Sequence, residues 1–353
     1  MRSFLGLVGS LASLAACSPK QPQLSQPMPP TITTAPVTTH AIALPDAIGG
    51  VNLDYIAYDP AHDRVWIPAG GTGKVDVIDA KTEKLTPIDG FPTKEHERKG
   101  RKFVAGPSAA AVGDGVVYIG NRADQTVCAI DAATLEKREC LALDSSPDGM
   151  QYVAATKELW VTTPRDKSIR TLDVSTPGKP IAKDKIVFEG EPEGFAVDNA
   201  RGVFYTNLED KDETLAIDVK SHAIAKHWQP KCGEDGPKGL ALDSATNHLI
   251  VVCPDHIETL DAGHDGQQLS SLEVGKGLDA IDIAPARHLV IAAAAGAAKI
   301  TFATLDADGK LSETLGVPTT KGARNAVVSA SGTAFVAVGP AGSILVVPAP
   351  EAR

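Results

Sequence analysis

Six segments of this chain repeat one phrase: a hydrophobic run, a short polar turn, a second hydrophobic run and a closing aspartate. The clearest copies are VYIGNRADQTVCAIDAAT from Val117, LWVTTPRDKSIRTLDVST from Leu159 and VFYTNLEDKDETLAIDVKS from Val203. Weaker copies start at Val65, Leu249 and Leu289. The closing residues are Asp79, Asp131, Asp173, Asp218, Asp261 and Asp306, spaced 52, 42, 45, 43 and 45 residues apart. A period of about 40 to 45 residues built from short strands and turns predicts radially stacked four-stranded units, a β-propeller. A fold of that kind constrains architecture tightly and function weakly.

Seven innermost strands are legible. Each follows a Gly- or Pro-rich turn, at Asp54, Ser108, Asp148, Glu193, Lys238, Asp279 and Arg324. Runs of apolar and β-branched residues between turn signals support strands rather than helices. The expectation is therefore an all-β, seven-bladed propeller over residues 38–350. The last unit lacks its outer strand, and THAIAL (Thr39 to Leu44) is expected to supply it, tying the first blade to the last and removing an open sheet edge. The recurring aspartates are read as turn acceptors for backbone amides ahead of them, one per blade and too far apart to share a metal.

The N-terminus reads as processing and tethering sequence. Arg2 precedes an apolar stretch, Phe4 to Ala16, that is too short to span a bilayer but suits a signal peptide over residues 1–16. Leu14-Ala15-Ala16-Cys17 resembles the lipobox of bacterial lipoproteins, which implies cleavage before Cys17 and acylation of its thiol. The alternative is an ordinary secretory signal with a chance cysteine. Residues 17–37, rich in proline, glutamine, serine and threonine, have the composition of an extended tether. The expected location is the outer membrane facing the periplasm, with the lipid as the sole membrane contact.

Losing Arg2 takes the formal charge from −10 to −11, which disfavours phosphate contacts, so no nucleic-acid partner is expected. Four cysteines follow Cys17. Cys128 and Cys140 fall opposite each other across a hairpin, and Cys232 and Cys253 end neighbouring segments on one face, so those two disulfides are expected in an exported protein. A four-thiolate metal site is the competing reading, but no CxxC spacing is present.

The repeats resemble the YVTN family of propeller repeats, also called YncE-like. Tyr118-Ile119-Gly120-Asn121 with Val127 to Thr134, and Phe204-Tyr205-Thr206-Asn207 with Leu215 to Ser221, carry the resemblance. Blades five to seven depart from it by losing the asparagine. The resemblance implies an exported envelope propeller without a fixed role.

A site is expected at the top of the central channel, where innermost strands begin and polar residues converge. Asp54, Asp148, Lys238 and Arg324 are ligand-binding candidates. Glu193, Asn121, Asn207 and Asp279 are candidate oxygen ligands for calcium or magnesium. Pro192-Glu193-Gly194 resembles the first ligand turn of gluconolactonase-type propellers, which implies a metal-dependent lactonase as the rival to a binding or scaffold protein. A solvated polar funnel explains the same residues without a ligand. After blade one, PTKEHERKGRKFVAG forms a long basic connection in which Lys99 and Arg101 would select a small anionic ligand or an envelope protein. The nine histidines pair with no evident nucleophile, and no Gly-x-Ser-x-Gly or His-Glu-x-x-His motif is present. A monomer is expected.

Overall fold

The computed structural model describes residues 37–98 and 100–349. The expected signal peptide, Cys17 and all of the expected tether but Val37 lie outside the described residues, as do Lys99 and the side chains of Arg98 and Arg101. The described chain forms seven four-stranded antiparallel sheets. From innermost to outermost strand, blade one is Ala57–Asp59, Arg64–Pro68, Val75–Asp79 and Leu85–Ile88, and blade two is Pro107–Gly113, Val116–Asn121, Thr126–Asp131 and Lys137–Ala142. Blades three to six repeat the plan from Met150, Pro192, Leu240 and Ile281. Blade seven takes three strands from Ala323–Val328, Ala334–Val338 and Ser343–Val347. His40–Ala43 supplies the fourth, with His40 opposite Val346 and Ala43 opposite Ser343. The ring is closed by an N-terminal strand, so no long unpaired edge remains there.

The core is not central. It is seven apolar layers, each shared by two neighbouring blades. Trp160 of blade three meets Phe204 of blade four with ring centroids 4.5 Å apart. Leu53 and Ile67 of blade one pack in one layer with Phe335 and Ile344 of blade seven. Stacking blade on blade lets a chain of this length bury a continuous core without one thick interior.

The repeated aspartates close the outer hairpins. Asp79 accepts from the amides of Lys81 and Thr82, Asp131 from Ala133 and Thr134, and Asp218 from Lys220 and Ser221. The Thr134 amide, with Arg138, holds Asp131 down at about 2. Both expected disulfides form. Cys128 lies directly opposite Cys140, with Cα atoms 3.9 Å apart, and Cys232 joins Cys253 at 5.0 Å.

The long basic connection after blade one carries secondary structure of its own: Lys94–Arg98 and Arg101–Ala105 pair as an antiparallel hairpin. Its second strand leads directly into Gly106, where a Cβ would lie 2.0 Å from the carbonyl oxygen of Gly70. Only glycine permits that approach, which fixes the hairpin root against the 3-10 turn Gly70–Thr72. Alternating charged residues with His96 and Phe103 hid a strand pair whose aromatic faces stack, centroids 5.7 Å apart.

Candidate functional site

The connections entering each innermost strand, and those leaving each second strand, lie on one face, the top. At its centre the backbone places Tyr55 first. The Tyr55 amide donates to the Ser108 carbonyl at 3.1 Å, and the Ala110 amide donates to the Tyr55 carbonyl at 2.9 Å. This bridge to blade two lays the Tyr55 ring on Phe195 of blade four, centroids 5.4 Å apart, and points its hydroxyl at Glu193 Oε1, to which it donates.

Four carboxylates surround this point. Arg122 Nη2 bridges Asp54 Oδ2, at 2.7 Å, and Asp148 Oδ1. Arg324 Nη2 bridges Asp54 Oδ1 and Asp279 Oδ2, each at 3.2 Å. Asn325 donates to the Asp54 carbonyl at 2.8 Å. Side-chain exposure runs from 11% for Asp54 to 39% for Arg324, so the cluster is recessed but open to solvent. Two guanidinium groups face four carboxyls, and three of the acids are shifted. Burial, and then Asp148, push Glu193 well above the usual carboxyl range. Burial also raises Asp148 and Asp279, against the opposing pull of Arg122 and Arg324 respectively. Burial and the Glu193 charge push the Tyr55 phenol well up.

Gly194 sets this geometry. Its φ is +67°, and a Cβ would lie 2.2 Å from the Lys238 carbonyl oxygen. The innermost strand of blade four is irregular there, between Glu193 and Phe195. The glycine lets blade four close onto blade five while Glu193 and Phe195 reach the channel.

Several expected residues do not join the cluster. Asn121 donates to the Pro92 carbonyl at 3.0 Å and accepts from the Ala123 amide at 2.9 Å. Asn207 donates to the Lys238 carbonyl at 2.6 Å and accepts from the Thr214 hydroxyl at 2.7 Å. Both are fully buried. Their amides fasten connections to blades, so neither offers an oxygen to a metal at the mouth. Lys238 is paired with Glu209 at 2.7 Å. Among the described residues, the three-ligand set whose donor atoms lie within 4.8 Å of one another is Cys232, Cys253 and Glu258, and its cysteines are the disulfide. The mouth carboxylates, spread around two arginines, do not fit a calcium or magnesium cage as built. Arg122 and Tyr55 are the residues that the sequence reading passed over. Their only signal was position: Arg122 directly follows the second strand of its blade, and Tyr55 directly follows Asp54.

Two cavities adjoin the cluster. Beneath Tyr55 and Phe195 a channel of about 540 Å³ runs between the innermost strands, lined mainly by Ile56, Ala111, Met150 and Ile281. Asp282 on its wall accepts from the amides of Ile283 and Val328, and burial pushes it to about 6. The second cavity, about 260 Å³, opens on the top face between the hairpin and blades two and three. It is bordered by Lys94, His96, Phe103, Arg122 and Arg165. Arg101 begins the second hairpin strand, and Lys99 lies outside the described residues.

No family model matches this chain, and no curated protein matches it. Its similarity is to solved propellers. A streptogramin B lyase structure aligns at 13% identity and a TM-score of 0.68, over 88% of this chain and 97% of that one. A virginiamycin B lyase from Staphylococcus aureus aligns at 15% identity and a TM-score of 0.67, over 88% and 99%. The WD40 repeats of RRP9 align at 11% identity and a TM-score of 0.68, over 89% and 98%. Lyases and WD40 proteins share the ring equally well, so the likeness shows the fold alone.

Proposed function

We propose that this protein is an exported, lipid-anchored propeller of the bacterial cell envelope that binds a small ligand or a partner protein through its top face. The observation that carries the reading is the mouth cluster. Asp54, Asp148, Glu193 and Asp279 are arrayed around Arg122 and Arg324 in a recess open to solvent, with a cationic hairpin standing beside it. Polar groups held in place in a concave site are what recognition needs. The lipobox-like Leu14 to Cys17 supports export and anchoring, the Pro-rich tether supports a body held off the outer membrane on its periplasmic side, and two disulfides suit an oxidising compartment. The YVTN/YncE-like repeats agree with an envelope propeller acting as a monomer.

A second reading, hydrolysis at the same mouth as in a lactonase, draws on one observation. Burial, and then Asp148, push the Glu193 carboxyl well up while the Tyr55 hydroxyl donates to it, a perturbed group of the kind used in proton transfer. Loss of turnover in Glu193→Gln, with ligand binding retained, would select it.

The test is hydrogen–deuterium exchange on the purified full chain, with and without envelope extract. The expected result is protection in the top connections around residues 52–56, 122–126, 146–149 and 275–280. Protection confined to the opposite turns, such as 60–63 and 199–202, overturns the assignment. Anchoring is read separately, by palmitate labelling that disappears in Cys17→Ser.

A further inference from the structure

The geometry points to a small-molecule oxyanion site in the cavity beneath the Lys94–Ala105 hairpin, built for a ligand bearing a phosphate or carboxylate group. The inference rests on top-face binding and names the ligand chemistry and the seat.

Cations from three separate elements border this cavity of about 260 Å³, Lys94 from the hairpin, Arg122 from blade two and Arg165 from blade three, and the His96 ring of the hairpin lies among them. The protein as a whole carries a formal charge of −10, so this convergence runs against its average surface. Coulomb repulsion among cations is tolerated where an anion is to be held. Among the described residues, neither Lys94 nor Arg165 has an ion-pair partner, whereas Arg122, Lys167, Lys238 and Arg324 on this face do. The acid on the rim, Asp124, accepts from the Thr126 hydroxyl at 2.8 Å.

Three further features fit an oxyanion. His96 keeps its Nε2 buried and without a hydrogen-bond partner among the described residues, a cost that an acceptor in the cavity would remove. Arg122 is held by Asp54 and Asp148, so its guanidinium borders the cavity already oriented. Phe103, Ala105 and Ala123 supply apolar wall beside the polar groups. The volume suits a molecule of about ten to fifteen heavy atoms, below the usual range for drug-sized pockets. The site differs from the channel mouth, where carboxylates outnumber arginines. Arg122 is common to both, so occupancy of the hairpin cavity would be felt at Asp148.

The experiment is calorimetric titration of the purified full chain at low ionic strength with inorganic phosphate and with citrate. The two probes separate tetrahedral from planar oxyanions. Saturable binding of either is expected, weakened at least about tenfold in Lys94→Ala/Arg165→Ala, since each loses a charge-assisted contact. The control, Lys81→Ala, removes an exposed cation from a turn of the opposite face and is expected to bind as the parent does. Thermal midpoints of the three proteins should agree within about 2 °C, because the truncated side chains hold no ion pair among the described residues. Binding of neither probe, or equal binding by the double variant, overturns the proposal. Should neither bind while exchange protection from envelope extract persists on the top face, the oxyanion site falls and top-face binding stands. Loss of both removes the two together.

Discussion

Replacing Asp76 with asparagine is expected to stabilise this protein at pH 8.5 and to leave it unchanged near pH 4. Asp76 lies in the third strand of blade one, fully buried, with neither carboxyl oxygen hydrogen-bonded among the described residues. The nearest cation, Lys74, is taken by Asp46 at 3.0 Å and Asp89 at 2.7 Å. Burial therefore pushes Asp76 up to about 7, from 3.8. A folded pKa above the unfolded one means that the native state keeps a proton the unfolded chain has released. The associated stability is fully present below pH 4 and is lost as pH rises through about 7. A shift of three units is worth about 4 kcal/mol at full burial, and residual screening brings the expectation to about 2–4 kcal/mol. Asparagine keeps the shape and never ionises. Guanidinium unfolding at pH 4 and 8.5, with refolding verified, should show a gain of that size at the higher pH alone. In melting temperature this is about 4–8 °C, at roughly 2 °C per kcal/mol for a large domain. An equal change at both pH values, or a loss at pH 8.5, would refute the idea that Asp76 carries a buried proton.

Three other substitutions test the site and its scaffold. Arg122→Met leaves Asp54 and Asp148 without their shared cation and should cost about 3 kcal/mol at pH 8 and clearly less at pH 5, because burial already raises Asp148 and loss of the guanidinium raises it further; a pH-independent loss in denaturant titrations would contradict this. Gly194→Ala must place a Cβ at positive φ against the Lys238 carbonyl, so a loss of about 2 kcal/mol or more is expected, with faster amide exchange around Glu193; parental stability would show that blades four and five are not clamped there. Removing the blade-two disulfide in Cys128→Ser/Cys140→Ser, which spans 12 residues, should cost about 3 kcal/mol; a loss below about 0.5 kcal/mol would mean that strand pairing alone restrains the hairpin in the unfolded ensemble.

Different parts of the molecule were legible to different degrees. Seven blades, the closing strand His40–Ala43 and both disulfides follow from periodicity, because each depends on where a residue falls within its own repeat. The aspartate turns were legible for the same reason, as their acceptor contacts reach only two to four residues ahead. Asn121 and Asn207 show the limit. They end equivalent strands near the channel, yet their amides turn to the carbonyls of Pro92 and Lys238, about thirty residues away in sequence. The hairpin Lys94–Ala105 was hidden because charge masked its two-residue alternation.

The sequence by itself determined the architecture: strand length, turn chemistry and a repeat near 43 residues leave a ring of blades as the consistent packing. Only the tertiary structure decided the chemistry of the top face. Arg122, Tyr55, Asp148, Glu193 and Asp279 come from five blades, and closure of the ring sets which of them meet. Local repeats specify each blade separately, whereas charge pairing, burial and the upward shift of Glu193 depend on distances between blades, and no single repeat encodes those distances.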